Sequence, residues 1–300
     1  MNIMSVPFIK MHGLGNDFVV LDARETSFAV DASAVRAIAD RRTGVGCDQL
    51  VILERARTQG ADVFMIIYNA DGTEAGACGN ATRCVGALLM DETGRAAAVV
   101  ETRAGRLPVH RESGTSFVTP HVTSLVTVDM GVPGLDWRDI PLARAAETLH
   151  LPVHLPVHLS VGGETVDAVG VSMGNPHAVF FVRAVADVDL ATLGPPLEND
   201  PLFLERTNVE VVEVLGGERL RVRVWERGAG ITRACGTGAC AAVVASVRRG
   251  LSSGRAEVIL DGGTLFVTWR KDGRVIMTGP AAISFTGVLA APVSLERGAF

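Results

Sequence analysis

Lysine is almost missing from this 300-residue chain; Lys10 and Lys271 are the only two. Pyridoxal phosphate is held as a Schiff base on a lysine, and neither of these two lies in any motif found below. A racemase dependent on that cofactor is therefore not expected. The net charge is −5 with no basic run, which argues against nucleic acid or an anionic membrane as the main partner. No apolar run approaches the roughly 18 residues of a membrane span. The opening "MNIMSVPFIKMHG" lacks the basic and apolar regions of a secretory signal. Five cysteines, an odd number, do not make a disulfide framework. A reduced, cytoplasmic enzyme is expected.

What the chain does have is order, and the order recurs. In the first half, strand-like runs occur at 7–11, 17–22, 49–54, 62–69, 97–102 and 106–111, with helical periodicity near 32–41 and 79–91. The second half offers strands at 167–173, 177–183, 208–214, 219–226, 255–260, 264–270 and 273–278. Its helices fall near 188–194 and 236–249. Individual residues share the offset. Gly15-Asn16 and Gly174-Asn175 are 159 apart, as are Gln49 and Asn208; Asn69 and Glu226 are 157 apart, as are Cys78 and Cys235. Two α/β halves from an internal duplication are expected, the first over 1–127 with 281–300 packed back onto it, the second over 128–280.

The two cysteines sit where a small-residue loop turns helical, in "EAGACGNATRC" and "GITRACGTGAC". The first N–H groups of a helix lack intrahelical partners and carry partial positive charge. Such a position is expected to lower a thiol from about 8.5 toward neutrality. Gly79 and Gly236 leave the backbone open to a carboxylate, and Arg83 and Arg233 would add positive potential. Two thiols brought to one cleft by pseudo-symmetry suit stereoinversion, one thiolate removing a proton and one thiol delivering another. Cys47, Cys84 and Cys240 read as buried core residues.

Together, "MHGLGNDFVVLD", "GVGCDQL", "YNADGTEAGACGNATRC", "MGNPHAVFF", "TNVEVV" and "WERGAGITRACGTGACA" resemble the diaminopimelate epimerase family over about residues 8–285. The resemblance implies an α+β fold of two pseudo-symmetric domains, each a sheet wrapped around a central helix, with the active site in the cleft between them. It implies a cofactor-independent, metal-free epimerase interconverting LL- and meso-2,6-diaminopimelate for lysine and peptidoglycan precursors, and a homodimer. Residue by residue, it makes Cys78 and Cys235 the catalytic thiols. Gly79, Asn80, Gly236 and Thr237 surround the reacting carboxylate. Asn16, Gln49, Asn69, Asn175 and Asn208 contact substrate, Glu226 and Arg227 form an acid–base pair, and His177 with Glu226 tunes the thiols. The chain departs from the pattern at Ala81-Thr82, where many members have Gly-Ala, and at Ile231-Thr232, where many have Glu-Thr.

Other readings make distinct demands. A proline racemase would keep both thiols but has no use for a clamp on a distal carboxylate. An amino-acid-binding module would carry inert cysteines. "GAGITRACGTG" lacks the Gly-Lys-Ser/Thr ending of a phosphate loop, and "HGLGND" is no dinucleotide fingerprint. The segment "LHLPVHLPVHLS", 149–160, spaces His150, His154 and His158 by four. Pro152 and Pro156 oppose a helix there, and in an extended chain such residues stand about 13 Å apart. No shared metal ion is expected.

Overall fold

The structure, a computed structural model, describes residues 5–26, 30–76, 78–112, 124–153, 160–161, 164–165 and 167–289. The chain divides into two compact units, 1–128 with 279–300, and 129–278.

The first unit contains β1 (Val6–Gly13), β2 (Asn16–Asp22), α1 (Ala32–Ala39), β3 (Gln49–Glu54), β4 (Val63–Asn69), β5 (Glu74–Ala75), α2 (Gly79–Thr93), β6 (Ala97–Thr102), β7 (Gly105–Arg111) and β8 (Ser124–Asp129). The second contains β9 (Ser160–Val161), β10 (Glu164–Thr165), β11 (Ala168–Ser172), β12 (Pro176–Val182), α3 (Leu190–Glu198), β13 (Asn208–Gly216), β14 (Arg219–Glu226), β15 (Gly230–Thr232), α4 (Gly236–Arg248), β16 (Arg255–Leu260) and β17 (Gly263–Trp269). The last strand, β18 (Val275–Leu289), supplies its first residues to the second unit and the rest to the first.

The duplication extends to the ladders. β2 and β3 pair in parallel from Phe18↔Gln49, and β12 and β13 pair in parallel from His177↔Asn208, both residues displaced by 159. β3–β4 and β13–β14 are antiparallel, β4–β6 and β14–β16 parallel, and β6–β7 and β16–β17 antiparallel. β1 pairs β2 as β11 pairs β12. In the first unit β18 adds an edge beside β1, from Val6↔Leu289 to His12↔Ala282.

Burial explains the two central helices. α2 is buried at every residue from Gly79 to Met90, and α4 at every residue from Gly236 to Ser246 except Thr237. A helix of small and apolar residues all round belongs inside a layer of strands. α2 packs on β1, β6 and β7, and α4 on β11–β14, β16 and β17. Cys84 and Cys240 are fully buried in them, and burial pushes the Cys84 thiol up to about 12. Cys47 is likewise in the core, its thiol raised to about 11 by burial.

Local chemistry then places the polar residues. Leu14 and Gly15 both have positive φ, 58° and 82°, forming a two-residue turn that starts β2 at Asn16. Gly94, φ 67°, ends α2 in the left-handed conformation. α3 runs to Glu198 rather than ending at 194. It passes through Pro195 and Pro196, because Leu190, Leu197 and Glu198 are buried and tertiary packing outweighs propensity. Short strands β5, β8 and β15 escape a periodicity reading altogether. His154 and His158 lie outside the described residues. His150 pairs with Asp167, and no metal-binding cluster occurs among the described residues.

Candidate active site

In the first unit Cys78 is the N-cap of α2, half-buried, with extended backbone at φ −146° and ψ 114°. Its Sγ lies 3.9 Å from Asn16 Oδ1, the oxygen that also accepts from Asn80 Nδ2 at 3.1 Å. Two charged groups fix these amides. Asn16 Nδ2 donates to Asp48 Oδ2 at 3.1 Å, while Arg41 holds the other oxygen of Asp48. Arg83, fully buried, donates to Asn80 Oδ1 at 2.7 Å and to the Pro280 carbonyl at 3.4 Å. A carboxylate only accepts and a guanidinium only donates, so both amide orientations are determined. Across the β3–β4 ladder, Gln49 Nε2 donates to Asn69 Oδ1 at 3.0 Å.

In the second unit Cys235 is the N-cap of α4, and Sγ accepts from Gly238 N at 3.4 Å. Thr237 Oγ1 stands 3.4 Å from the same sulfur. His177, at the start of β12, meets Glu210 Oε1 at 2.7 Å through Nδ1 and Asn175 Oδ1 at 3.0 Å through Nε2. Asn175 Nδ2 continues to Thr237 Oγ1 at 3.4 Å. Asn208 donates to the Pro176 carbonyl and accepts from the Arg227 backbone N–H at 2.9 Å, which fixes the turn after Glu226. The Arg227 side chain reaches the Glu205 carbonyl at 2.8 Å. Glu198 Oε1 takes the Gly228 N–H and Oε2 the Trp225 indole, pinning the same turn from beneath.

The expectation of a lowered thiol fails at Cys235, which is pushed well above its ordinary range. Burial is the largest cause, and the carboxylates of Glu226 and Glu210 add to it; Thr237 and Gly238 pull only partly back. The helix terminus is real, but Cys235 is only 5% exposed and lies under the charge of two acids. Arg233, expected to help, is solvent-exposed instead. Glu226 is itself raised to about 6 by burial and by Glu210, against hydrogen bonds from Thr232 and Cys235 and the charge of His177. Arg83 is linked to Cys78 by way of the Asn80 and Asn16 amides.

The first unit thus gathers Asn16, Asn80 and Cys78, with Gln49 bonded to Asn69 on the adjoining strands. The second gathers Asn175, His177, Thr237 and Cys235, with Glu226 beside them and Asn208 bound to Arg227. Both departures from the family pattern are accommodated: Ala81 is fully buried, Ile231 is an exposed side chain, and Thr232 donates its hydroxyl to Glu226. Sequence reading passed over Glu210, although an acidic residue amid "NVEVV" is the visible signal of a buried partner. It also passed over Asp48, one residue before Gln49.

Comparison with known proteins identifies the family. The family model described as diaminopimelate epimerase matches residues 8–134 and 169–284. A diaminopimelate epimerase of Rhodospirillum centenum is 55% identical over 282 residues, covering 94% of this chain and 91% of its own. One from Acidiphilium cryptum is 52% identical, covering 94% and 96%. A solved hydroxyproline epimerase from Agrobacterium vitis, with bound trans-4-hydroxy-L-proline, has the same fold at a TM-score of 0.66 and 15% identity, covering 95% of this chain and 91% of that one. The chain belongs to the diaminopimelate epimerase family.

Proposed function

We propose that this protein interconverts LL- and meso-2,6-diaminopimelate without a cofactor, one cysteine removing the α-hydrogen and the other returning a proton to the opposite face. The observation that carries this reading is the pair of N-cap cysteines, Cys78 and Cys235, each at the start of a buried helix and each within a set of oriented amides. Gly79, Asn80, Gly236 and Thr237 begin those helices, where N–H groups and the helix dipole stabilise the negative charge that develops on the substrate carboxylate. Burial and the charges of Glu226 and Glu210 favour the thiol form of Cys235, which suits it to serve first as the proton donor, with Cys78 as the base in that direction. Glu226, raised to about 6, lies within hydrogen-bonding reach of the Cys235 sulfur and is suited to take up its proton when the direction reverses.

Arg227 and Glu226, with Gln49, Asn69 and Asn208, read the distal ammonium and carboxylate, a pattern of paired polar groups that rejects substrates lacking them. The enzyme acts in the cytoplasm as a homodimer, with its first thiol on a domain spanning 1–127 and 281–300 and its second on one spanning 128–280. The test is exchange. Purified protein incubated with LL-diaminopimelate in deuterated water should place deuterium on one α-carbon while forming the meso isomer. Binding without exchange, or turnover of 4-hydroxyproline in place of diaminopimelate, would overturn the reading.

A further inference from the structure

At the offset of 159 between the halves His177 stands where the first unit has Phe18 and Glu210 where it has Val51, and at 157 Glu226 stands where it has Asn69. The first unit fills these places with an apolar pair and an amide. The second has put a charged cluster inside an equivalent β ladder. His177 and Glu210 are both completely buried, and His177 is the hydrogen-bond partner of Glu210 Oε1; Oε2 has none among the described residues. Removing a carboxylate from water needs a paired and hydrogen-bonded counter-charge. The fold also makes room for it. A Cβ on Gly238 would sit 2.7 Å from Glu210 Oε1 and 3.3 Å from Cys235 Sγ, so the glycine lets carboxylate and sulfur approach the same point.

The hydrogen bonds run in one direction. With a hydrogen on each ring nitrogen of His177, Glu210 accepts from Nδ1, Nε2 donates to Asn175 Oδ1, and Asn175 Nδ2 donates to Thr237 Oγ1. With its oxygen accepting, the Thr237 hydroxyl hydrogen is left to point at Cys235 Sγ, which also takes the Gly238 N–H. Nε2 without its hydrogen would reverse the chain. Asn175 would then turn its amide round, Thr237 would give its hydrogen to Asn175, and the sulfur would lose a donor.

We infer that Glu210 is a positioning residue for Cys235: its charge holds His177 as a donor from both ring nitrogens, and the His177–Asn175–Thr237 relay thereby keeps a hydroxyl hydrogen aimed at the sulfur. The other charged group beside this relay is Glu226, on β14. The donors offset part of the burden that burial and the two carboxylates place on the thiolate, and so support the direction of reaction in which Cys235 is the base.

The inference rests on the epimerase reading for its kinetic consequence but not for its spectroscopic one. In protein labelled with 15N-histidine at pH 7, His177 is recognisable as a slowly exchanging, fully buried ring, and both of its nitrogens should carry hydrogen; a bare nitrogen in the wild-type ring would overturn the inference whether or not the protein epimerises diaminopimelate. Glu210→Gln keeps the shape and removes the charge. It should leave Nε2 of His177 bare and lower kcat at least tenfold, with KM within about twofold of wild type. Wild-type kcat with both nitrogens still protonated would overturn it. The double variant His177→Phe with Glu210→Val copies the apolar pair that the first unit tolerates at these places. It should fold and turn over no faster than Glu210→Gln, and a folded double variant at wild-type rate would equally overturn the assignment.

Discussion

Gly238→Ala adds one methyl group at the most crowded point of the second cysteine site, and the structure permits its effect to be worked out. The new Cβ would lie 2.7 Å from Glu210 Oε1 and 3.3 Å from both Glu210 Cγ and Cys235 Sγ. Ordinary contact requires the carboxylate to retreat by about half an ångström or more. It has nowhere soft to go, being fully buried and bonded to His177 at 2.7 Å. Three effects compete. Replacing glycine by alanine inside a helix favours folding by about 1 kcal/mol. Overpacking a dense interior opposes it by about 1–3 kcal/mol. Loosening a charge-assisted hydrogen bond opposes it by a further 1.5–3 kcal/mol or so. The opposing effects win, leaving a net loss of about 1.5–5 kcal/mol, measurable as a lower urea midpoint at unchanged slope. Because the shift breaks the first link of the relay toward Cys235, kcat for diaminopimelate should fall about tenfold or more. The control is Ala81→Gly, the equivalent helix position in the first unit, where Val51 replaces the carboxylate. That change should cost about 1 kcal/mol of propensity and leave kcat unaltered. A Gly238→Ala protein more stable than wild type with full kcat would refute the reasoning.

Cys78→Ser and Cys235→Ser should each lose epimerisation by about 10²–10⁴-fold while still binding the substrate, as read by turnover alongside calorimetric titration. Glu226 carries a pH signature. Its carboxyl is raised from 4.5 to about 6, so the folded protein holds the proton more tightly than the unfolded chain. Its contribution is therefore fully present below about 4.5 and is lost as pH rises through 6, by at most about 2 kcal/mol. Glu226→Gln should remove that part of the pH dependence of unfolding free energy, and an identical profile in the variant would contradict the assignment. Asp48→Ala frees the Asn16 amide to rotate away from Cys78. It should lower kcat/KM about tenfold with a stability loss near 1 kcal/mol, checked by steady-state kinetics and denaturant titration.

What the sequence reveals and what it conceals follow from the range of the forces involved. The duplication is legible because each half must satisfy the same ladder, and a register is conserved residue for residue when one face is buried. Phe18↔Gln49 and His177↔Asn208 can be aligned by counting alone. The cysteines are legible because the start of a helix leaves a local mark in small residues and periodicity. The ionisation of Cys235 is not legible. It depends on Glu226 and Glu210, one 9 and the other 25 positions earlier in the chain, carried in by β14 and β13. Helix-end reasoning, which counts only neighbours in sequence, therefore gives the wrong sign there. Burial of the sulfur and the approach of two acids are tertiary facts, and together they outweigh a terminal dipole that acts over one turn. The same limit hides the difference between the halves. By pattern alone Cys78 and Cys235 are equivalent, yet one faces an amide oxygen oriented by Asp48 and the other receives donors from Thr237 and Gly238. An epimerase that must take a proton from one face and give one to the other needs two sites alike in geometry and unlike in protonation. Here the duplicated backbone supplies the likeness, while Glu226 and Glu210, at places occupied by Asn69 and Val51 in the other half, add to the burial that pushes the Cys235 thiol up.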